Sequence, residues 1–195
     1  MMQTLIFATN NKNKVEEIRA VLEADFEIKS LQEAGIAIDI PEPYDTLEEN
    51  ATEKSTTIYQ LTKQDCFSED TGLEVTALNG APGAKSARYA GEEGDSKKNI
   101  DKILSSLLGI ENRAAQFKTV ISLMLDGKEY QFKGICKGTI AHEIKGSNGF
   151  GYDPIFIPEG SNLHFGEMTL DEKNKYSHRK KATSLLVNFL KEYHG

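Results

Sequence analysis

The chain has 195 residues, of which 38% are hydrophobic, and it contains 16 glycines and 5 prolines. This composition excludes a disordered or collagen-like chain and predicts one domain, spanning residues 1–195, with a sizeable buried core. The chain has 23 basic and 30 acidic residues, so its net charge is −7. A negative protein repels polyanions, and we therefore expect no binding to nucleic acid.

The cellular location and the relation to membranes are predicted from the apolar segments and the cysteines. No apolar run approaches the about 18 residues that span a bilayer, so we expect no membrane partner. The first residues turn polar by Thr9 and contain no secretory segment, and Cys66 and Cys136 lack metal-ligand spacing. Together these features predict a cytoplasmic protein with reduced thiols.

The first third of the chain predicts a strand and two helices. Residues 3–8 have the pattern of a buried strand, and apolar residues from Val15 to Leu22 then recur at helical spacing. A second helix is expected from Thr46, which has capping-box spacing to Glu49.

The rest of the chain predicts more strands and two further helices. We expect short strands at 66–67 and 73–75 on either side of a polar loop, a helix over 96–108, and a hairpin of residues 116–125 and 129–140. A last helix has an apolar stripe from Ala182 to Tyr193. Helices interleaved with strands predict an α/β fold with a mixed sheet.

The polar turn between the first strand and the first helix is a candidate anion site. It consists of Thr9, Asn10, Asn11, Lys12, Asn13 and Lys14. Free backbone N–H groups and the positive end of a helix dipole attract phosphate, and a lysine adds charge. The alternative is that an asparagine caps the helix while the lysines are solvated.

Carboxylates are the candidate metal ligands. Six acids and no base lie between residues 39 and 53, namely Asp39, Glu42, Asp45, Glu48, Glu49 and Glu53, and a second carboxylate pair, Glu69 and Asp70, follows where the predicted strand meets the polar loop. Mg²⁺ takes one or two protein carboxylates and completes its shell with water and phosphate oxygens. The alternatives are a capping role for Glu49 with Thr46 and a turn role for Asp70.

Two later segments are candidates for binding a flat ring. Phe150, Gly151, Tyr152 and Asp153 lie in a glycine-rich stretch that offers close backbone approach, a stacking face and an acceptor, although an ordinary tight loop fits as well. Five bases occur between residues 173 and 181, including Lys173 and Arg179, with His178 among them. They are either a solvated helix face or donors held over a binding site.

Several ordered motifs together resemble the inosine triphosphate pyrophosphatase family. They are the turn from Thr9 to Lys14, the segments Glu69–Leu73, Gly80–Gly83, Ser86–Gly91 and Gly149–Pro154, and Ser177–Arg179. The resemblance implies an elongated α/β fold around a long mixed sheet, with a cleft between two lobes. It also implies a homodimer and Mg²⁺-dependent hydrolysis of ITP, dITP or XTP to the monophosphate and pyrophosphate.

The resemblance also implies roles for individual residues. The turn from Thr9 to Lys14 would hold the triphosphate, Glu49 and Asp70 would bind the metal, and Asp70 would act as the general base. Thr71 would touch the substrate beside the metal. Phe150 would stack on the base within the loop that also contains Gly151 and Tyr152, and the base edge would be lined by Asp153, Lys173, His178 and Arg179.

Two positions depart from that family's pattern. Asn10 stands where glycine is frequent, so a strained φ or crowding of the phosphate is expected there. Gly166 stands where alanine is more familiar.

Donor-rich side chains favour a 6-keto purine over adenine, because lysine and arginine only donate hydrogen bonds. Two other functions remain open. One is a nucleotide-binding regulatory module without turnover, and the other is a related pyrophosphatase for pyrimidine or modified-base nucleotides.

Overall fold

The computed structural model describes residues 3–22, 26–92 and 94–193 and shows an α/β fold. Its strands and helices, in chain order, are β1 (Gln3–Phe7), α1 (Lys12–Leu22), β2 (Phe26–Ser30), α2 (Leu47–Thr62), β3 (Cys66–Val75), α3 (Ser96–Ser106), β4 (Ala114–Leu125), β5 (Lys128–Ile140), β6 (Phe156–Pro158), α4 (Leu170–Asn174) and α5 (His178–Tyr193). Short 3₁₀ turns occupy Thr76–Leu78, Gly83–Arg88, Asp153–Ile155 and Phe165–Glu167.

The strands form one six-stranded sheet in the order β2-β1-β3-β4-β5-β6. Strand β1 pairs in parallel with β2 and β3, whereas β5 and β6 are antiparallel, so the predicted mixed sheet is confirmed. The predicted hairpin is also present, and its turn residues Asp126 and Gly127 have φ values of 49° and 78°. Positive φ at both central residues is typical of a turn that matches the twist of the paired strands.

One sequence prediction about the sheet is wrong. The segment expected as two short strands around a polar loop is the continuous strand β3, in which Ser68, Glu69 and Asp70 are all buried. Consecutive polar residues normally indicate a loop, because a buried polar group is costly unless it is hydrogen-bonded. Here partners distant in the sequence supply those bonds, so the strand is not interrupted.

The chain divides into two compact units, and the first contains the described parts of Met1–Asp70, Thr119–Gly134 and Arg179–Gly195. Helices α1 and α5 pack on the sheet through one apolar cluster of buried residues: Leu5, Phe7, Val15, Ile18, Leu22, Ile28, Phe67, Ile121, Leu123, Leu125, Ala182, Leu186 and Leu190. Leu185 of the predicted α5 stripe lies outside this cluster and is 48% exposed.

The second unit contains the described parts of Thr71–Lys118 and Ile135–His178. Its core joins α3 to the sheet and to the loops around β6, and consists of Leu73, Val75, Ile100, Ile103, Leu107, Ala115, Phe117, Cys136, Ile140, Tyr152, Ile155, Phe156, Phe165 and Met168. Phenylalanine rings cluster at its centre, where Phe117 lies 4.7 Å from Phe156 and 6.1 Å from Phe165 between ring centroids.

Threonine side chains cap two helices, and the sequence predicts the cap of α2. Thr46 caps α2 by accepting a hydrogen bond from the backbone N–H of Glu49, and Thr169 with Glu172 forms a complete capping box at α4. Such caps satisfy backbone donors that have no partner within the helix. Within the part of the chain that the structure describes, no helix is both long and apolar enough to cross a membrane.

Two backbone segments of the second unit approach each other too closely for side chains. A Cβ atom at Gly146 would lie 1.9 Å from the carbonyl oxygen of Gly166, and one at Gly166 would lie 2.6 Å from that of Lys145. The backbone N–H of Asn148 donates to the carbonyl of Gly166 at 2.9 Å, and its side-chain amide donates to that of Met168 at 3.1 Å.

We expect Gly138→Ala to destabilise the protein. A Cβ atom at Gly138 would lie 2.2 Å from the carbonyl oxygen of Ile157, so β5 and β6 would have to separate. Overpacking of this kind costs about 1–3 kcal/mol. Urea unfolding should show a lower midpoint for Gly138→Ala and little change for Thr139→Ala, which alters the neighbouring exposed residue. Equal midpoints for both variants would contradict the close contact.

Candidate functional site

The turn before α1 is held by its own side chains. The hydroxyl of Thr9 accepts a hydrogen bond from the backbone N–H of Asn11 at 3.1 Å, and Asn11 Oδ1 accepts one from the backbone N–H of Lys14 at 3.2 Å. Asn11 therefore caps the helix, as the simpler interpretation of this segment expected. Lys12 and Asn13 are exposed at the N-terminus of α1, where the helix dipole is positive.

The backbone of Asn10 does not adopt the strained φ expected of it. Within residues 3–22, 26–92 and 94–193, positive φ values at non-glycine residues occur at Lys63, Asn79 and Asp126 only. The side-chain oxygen of Asn10 accepts a hydrogen bond from the backbone N–H of Gln32 at 3.1 Å. This bond ties the turn to the residues that follow β2.

A buried ionic cluster lies beside the turn in the first unit. Glu69 accepts hydrogen bonds from Arg179 through both oxygens, with Nε at 2.5 Å and Nη2 at 2.9 Å, and its Oε1 is 3.3 Å from Lys14 Nζ. Arg179 also donates through Nη1 to Glu17. Lys14 is therefore paired with a carboxylate, in contrast to the solvated lysine of the simpler interpretation.

Arg179 is 1% exposed. Burial disfavours its charge, but the carboxylates of Glu69 and Glu17 outweigh that effect and raise the pKa of Arg179, so it stays protonated. The contact with Glu69 is bidentate, which is the hydrogen-bonding geometry that a guanidinium forms best with a carboxylate. The contacts of Arg179 named above thus go to acidic side chains of the first unit.

Asp70 lies at the end of this cluster and shares a lysine with Glu42. Lys54 Nζ donates to Glu42 Oε1 at 2.6 Å, to Asp70 Oδ1 at 3.1 Å and to the carbonyl of Glu69 at 2.9 Å. Burial opposes the charge of Lys54, but Asp70 and Glu42 together raise its pKa. Helix α2 supplies this lysine, and its ammonium brings two carboxylates to one point.

Burial raises the pKa of Asp70. Lys54 and Lys14 lower it, and the like charge of Glu42 adds to the increase, but removal from water is the largest cause. Asp70 is 4% exposed, and its Oδ2 atom is buried without a hydrogen-bond partner in the part of the chain that the structure describes. A buried acceptor of this kind suits a ligand that supplies positive charge.

Glu49 has a different environment from the one expected of a metal ligand. It is exposed at the start of α2, where its Oε2 accepts a hydrogen bond from the hydroxyl of Thr46 at 2.5 Å. The observed contact of Glu49 is therefore the one expected from the alternative interpretation, in which Glu49 pairs with Thr46 at the start of α2. Among the described residues, no group of three or more His, Cys, Asp or Glu side chains is placed to hold a metal.

In the second unit, Asp153 organises the glycine-rich loop. Its Oδ2 accepts hydrogen bonds from the backbone N–H of Phe150 at 2.8 Å and from Lys173 Nζ at 2.7 Å. Gly149 has a φ of 71°, and a Cβ atom there would lie 2.0 Å from Asp153 Oδ2. The backbone of the loop therefore packs directly against the carboxylate of Asp153, and only glycine at position 149 leaves room for this contact.

Lys173 connects that loop to two aromatic rings. Its ammonium lies 5.3 Å from the centroid of Phe150 and 5.4 Å from that of Phe165, distances at which a cation is attracted to a ring face. Lys173 is 3% exposed, so it is not part of a solvated helix face.

Tyr152 packs into the core, and its hydroxyl donates to the carbonyl of Ser86 at 2.7 Å. Burial raises its pKa. Gly151 beside it has a φ of 62° and is half-buried, as is Phe150, so Phe150 is the partly exposed ring of this loop.

His178 and Thr71 are the remaining expected residues of the second unit. The imidazole of His178 is stacked on Phe117, with centroids 4.7 Å apart and planes inclined by 12°. Thr71 is half-buried on β3, directly after Asp70 in the chain. Of the basic run, Lys175, Lys180 and Lys181 are exposed, so the solvated alternative describes those three residues.

The structure thus brings the expected residues together in two sets. The first unit contains the turn from Thr9 to Lys14, Asp70 and Arg179, and also Glu49 at the start of α2. The second unit contains Thr71, His178, and the loop of Phe150 to Asp153 with Lys173. The chain passes from one set to the other at two peptide bonds, Asp70–Thr71 and His178–Arg179.

Sequence reasoning assigned no role to Lys54 or Glu17. It named Glu69 as part of a carboxylate pair with Asp70, and it selected Glu49 rather than Glu42 as a metal ligand. One signal was present in the sequence, since Glu42 lies between Pro41 and Pro43, outside the helix that accounts for Glu48 and Glu49. Nothing in the pattern of α2 distinguished Lys54 from an exposed lysine.

Comparisons with known proteins agree along almost the whole chain. A profile of the Ham1 family matches residues 5–189. A dITP/XTP pyrophosphatase of Flavobacterium johnsoniae is 50% identical over 186 residues, which cover 95% of this chain and 97% of that protein. One of Porphyromonas gingivalis is 50% identical over 190 residues, covering 97% and 98%. The structure of the Staphylococcus aureus Ham1 protein is similar with a TM-score of 0.89 and 37% identity, covering 98% of this chain and 100% of that one.

We expect Arg179→Met to be strongly destabilising. The variant leaves the buried carboxylates of Glu17 and Glu69 without their arginine, and removal of one partner from such a cluster costs about 3–5 kcal/mol. Lys180→Met is the matched control, because Lys180 is the exposed neighbour and its loss should change the free energy of unfolding by at most about 0.5 kcal/mol. The measurement is chemical denaturation, and equal values for the two variants would argue against the cluster.

Proposed function

The chain belongs to the Ham1 family, and on that basis we propose that it is a nucleoside triphosphate pyrophosphatase acting on the non-standard purine nucleotides dITP, ITP and XTP. The products are the monophosphate and pyrophosphate, so the reaction removes these nucleotides from the cellular pool. The observation that carries the proposal is Asp70, a buried carboxylate of raised pKa with one unpartnered oxygen. The names of the relatives supply the substrate class.

Asp70 and Glu42 are the side chains that would hold Mg²⁺. Two observations support this pair. Asp70 Oδ2 is without a partner, and the carboxylates of Asp70 and Glu42 already stabilise one positive charge together, that of the Lys54 ammonium. Bound Mg²⁺ supplies charge neutralisation on the phosphates and acidifies coordinated water. Glu49, the ligand expected from the sequence, is the alternative to Glu42.

Asp70 is the proposed general base. A base is most effective when its pKa lies near the working pH, and burial moves the pKa of this carboxyl in that direction. In the proposed reaction, Asp70 accepts a proton from the water that attacks the phosphoanhydride, and no covalent intermediate forms.

The turn from Thr9 to Lys14 would bind the triphosphate. The N-terminus of α1 and the ammonium of Lys14 offer positive potential, and Asn11 and Thr9 fix the backbone that presents it. The hydrogen bond that Asn10 Oδ1 accepts from the backbone N–H of Gln32 holds the side chain of Asn10 within the turn.

The residues of the second unit would bind the base. Phe150 offers a stacking face, and Lys173, oriented by Asp153, offers a donor to a 6-keto oxygen. His178 is the second proposed donor. Arg179 follows His178 directly in the chain, and it forms ionic contacts with Glu17 and Glu69. Contact of Arg179 with the base stays a prediction.

A homodimer in the cytoplasm without nucleic-acid or membrane partners completes the proposal. Light scattering of the purified protein tests the dimer. A regulatory module that binds nucleotide without turnover is the competing function, and a buried base beside a metal pair argues against it.

The decisive experiment is release of pyrophosphate by the purified protein with Mg²⁺ across ITP, dITP, XTP, GTP, ATP and CTP. The proposal predicts turnover of the first three substrates with much slower reaction of ATP and CTP. Nucleotide binding without release would favour the regulatory module, and a preference for CTP would favour the pyrimidine enzyme.

Two glutamates distinguish the possible metal pairs. Glu42→Gln should raise the Mg²⁺ concentration needed for half-maximal activity by about tenfold or more, because it removes a ligand charge. Glu49→Gln should leave that concentration unchanged, since glutamine can still accept the hydrogen bond from Thr46. The reverse pattern in a titration of pyrophosphate release against Mg²⁺ would restore Glu49 as the ligand.

Asp70→Asn should abolish turnover and yet raise the melting temperature at neutral pH. The pKa of Asp70 is higher in the folded than in the unfolded chain, so its ionisation costs stability as the pH rises through the folded value. Asparagine does not titrate, and the gain should therefore disappear below about pH 4, where both states of the wild type are protonated.

Melting curves from pH 3 to pH 8 measure this effect, with the exposed Asp101→Asn as control. A variant less stable than the wild type at neutral pH would show that the pairing with Lys54 outweighs burial.

A further inference from the structure

The imidazole of His178 is stacked on Phe117, a residue of the second unit. Phe117 lies on β4 and is 6% exposed, and its ring is nearly parallel to that of His178 at 4.7 Å. Aromatic rings attract each other in offset stacks at such distances. His178 itself is 2% exposed, so the phenylalanine covers a face of a ring that is almost removed from solvent.

Phe117 is in turn fixed from other directions. Phe156 of β6 meets its edge at 4.7 Å with an inclination of 61°, and Phe165 lies 6.1 Å away, inclined by 19°. These contacts belong to a close-packed core in which a ring has one arrangement. The orientation of the Phe117 ring is therefore set by the fold. Because the imidazole of His178 is stacked on this ring, the plane of the imidazole is set as well.

A fixed imidazole plane has a chemical consequence. The ring nitrogens of histidine donate and accept hydrogen bonds in the plane of the ring, and such bonds weaken steeply as their angle departs from linear. Stacking leaves the in-plane directions unchanged while preventing the ring from tilting. It thus fixes the direction in which His178 can donate.

The same phenylalanine cluster supports a second expected donor. Phe165 lies 5.4 Å from the ammonium of Lys173, which also lies 5.3 Å from Phe150. His178, Lys173 and the stacking ring of Phe150 are therefore connected through the aromatic core of one unit. Phe117 is the member of that core which contacts the imidazole.

We propose that Phe117 is a positioning residue for base selection, which holds the imidazole of His178 in the plane from which it donates to the 6-keto group of the purine. The inference rests on the proposed function. Phe117 touches no substrate and acts only through His178.

The test compares Phe117→Leu with Phe67→Leu, which removes a buried ring from the apolar cluster of the first unit, where Phe67 is stacked on Phe7. The ratio of kcat/KM for ITP to that for ATP should fall about tenfold in Phe117→Leu, because a misdirected donor no longer distinguishes a keto from an amino group. The ratio should keep its wild-type value in Phe67→Leu, although both variants melt at lower temperature. Phe117→Met, which fills more of the space, serves if the leucine variant does not fold.

A spectroscopic measurement separates positioning from general damage. Proton–carbon spectra of protein labelled on its four histidine rings report the ring current of a stacked phenylalanine, and His178→Gln identifies the signal of His178. That signal should move downfield in Phe117→Leu and stay close to its wild-type position in Phe67→Leu.

An unchanged ITP to ATP ratio in Phe117→Leu, or equal losses in both leucine variants, would overturn the inference, as would an unmoved His178 signal. These results differ from failure of the proposed function, in which the wild-type protein itself releases no pyrophosphate from a keto-purine triphosphate.

Discussion

Burial of polar groups along β3 constrains the arrangement of the first unit. Ser68, Glu69 and Asp70 follow one another in a strand that is shielded from water, and each must find a partner or destabilise the fold. Ser68 donates to the carbonyl of Ala51 on α2, at 2.5 Å. Glu69 receives Lys14 of α1 and Arg179 of α5, and Asp70 receives Lys54 of α2. Three helices are thereby held against one strand by polar contacts as well as by apolar packing.

These contacts do not all favour stability to the same degree. Ion pairs in a protein interior often gain little over an apolar core, but an arrangement with one partner missing is costly, so they specify geometry more than they strengthen the fold. Asp70 is the extreme case, because removal from water outweighs the attraction of its lysines. A protein that keeps such a carboxylate gives up stability at that position, which is common where a group performs chemistry.

Local patterns predicted most of the secondary structure but not the polar contacts. The strand β1, the helices α1, α2 and α3, and the hairpin of β4 and β5 follow from apolar periodicity and turn residues, which depend on neighbours in the sequence. The continuity of β3 depends on Arg179, which is 110 residues from Glu69. Such a partner has no signature in a local window, so the buried polar stretch was interpreted as a loop.

The candidate site shows the same division. The cap formed by Asn11 and the self-contained loop of Asp153 use residues within three positions of each other, and short motifs indicated both segments. The contact of Glu42 with Lys54, the burial of Tyr152 and the stacking of His178 on Phe117 arise from packing between distant elements. The sequence marked Glu42, Tyr152 and His178 as candidates, but their contacts with Lys54, Ser86 and Phe117 became visible only in the fold.

The close approach of Gly146 and Gly166 also affects how this sequence can diverge. Since each glycine occupies the space that a side chain at the other segment would need, neither position accepts a methyl group while the backbone stays in place. An alanine at position 166, the residue more familiar in the family that the sequence resembles, requires the segment at 145–146 to lie further away. A substitution at either position therefore constrains the backbone at the other, and the segment leading to Phe150 is held to the turn containing Phe165 by the hydrogen bonds of Asn148 as well as by this steric limit.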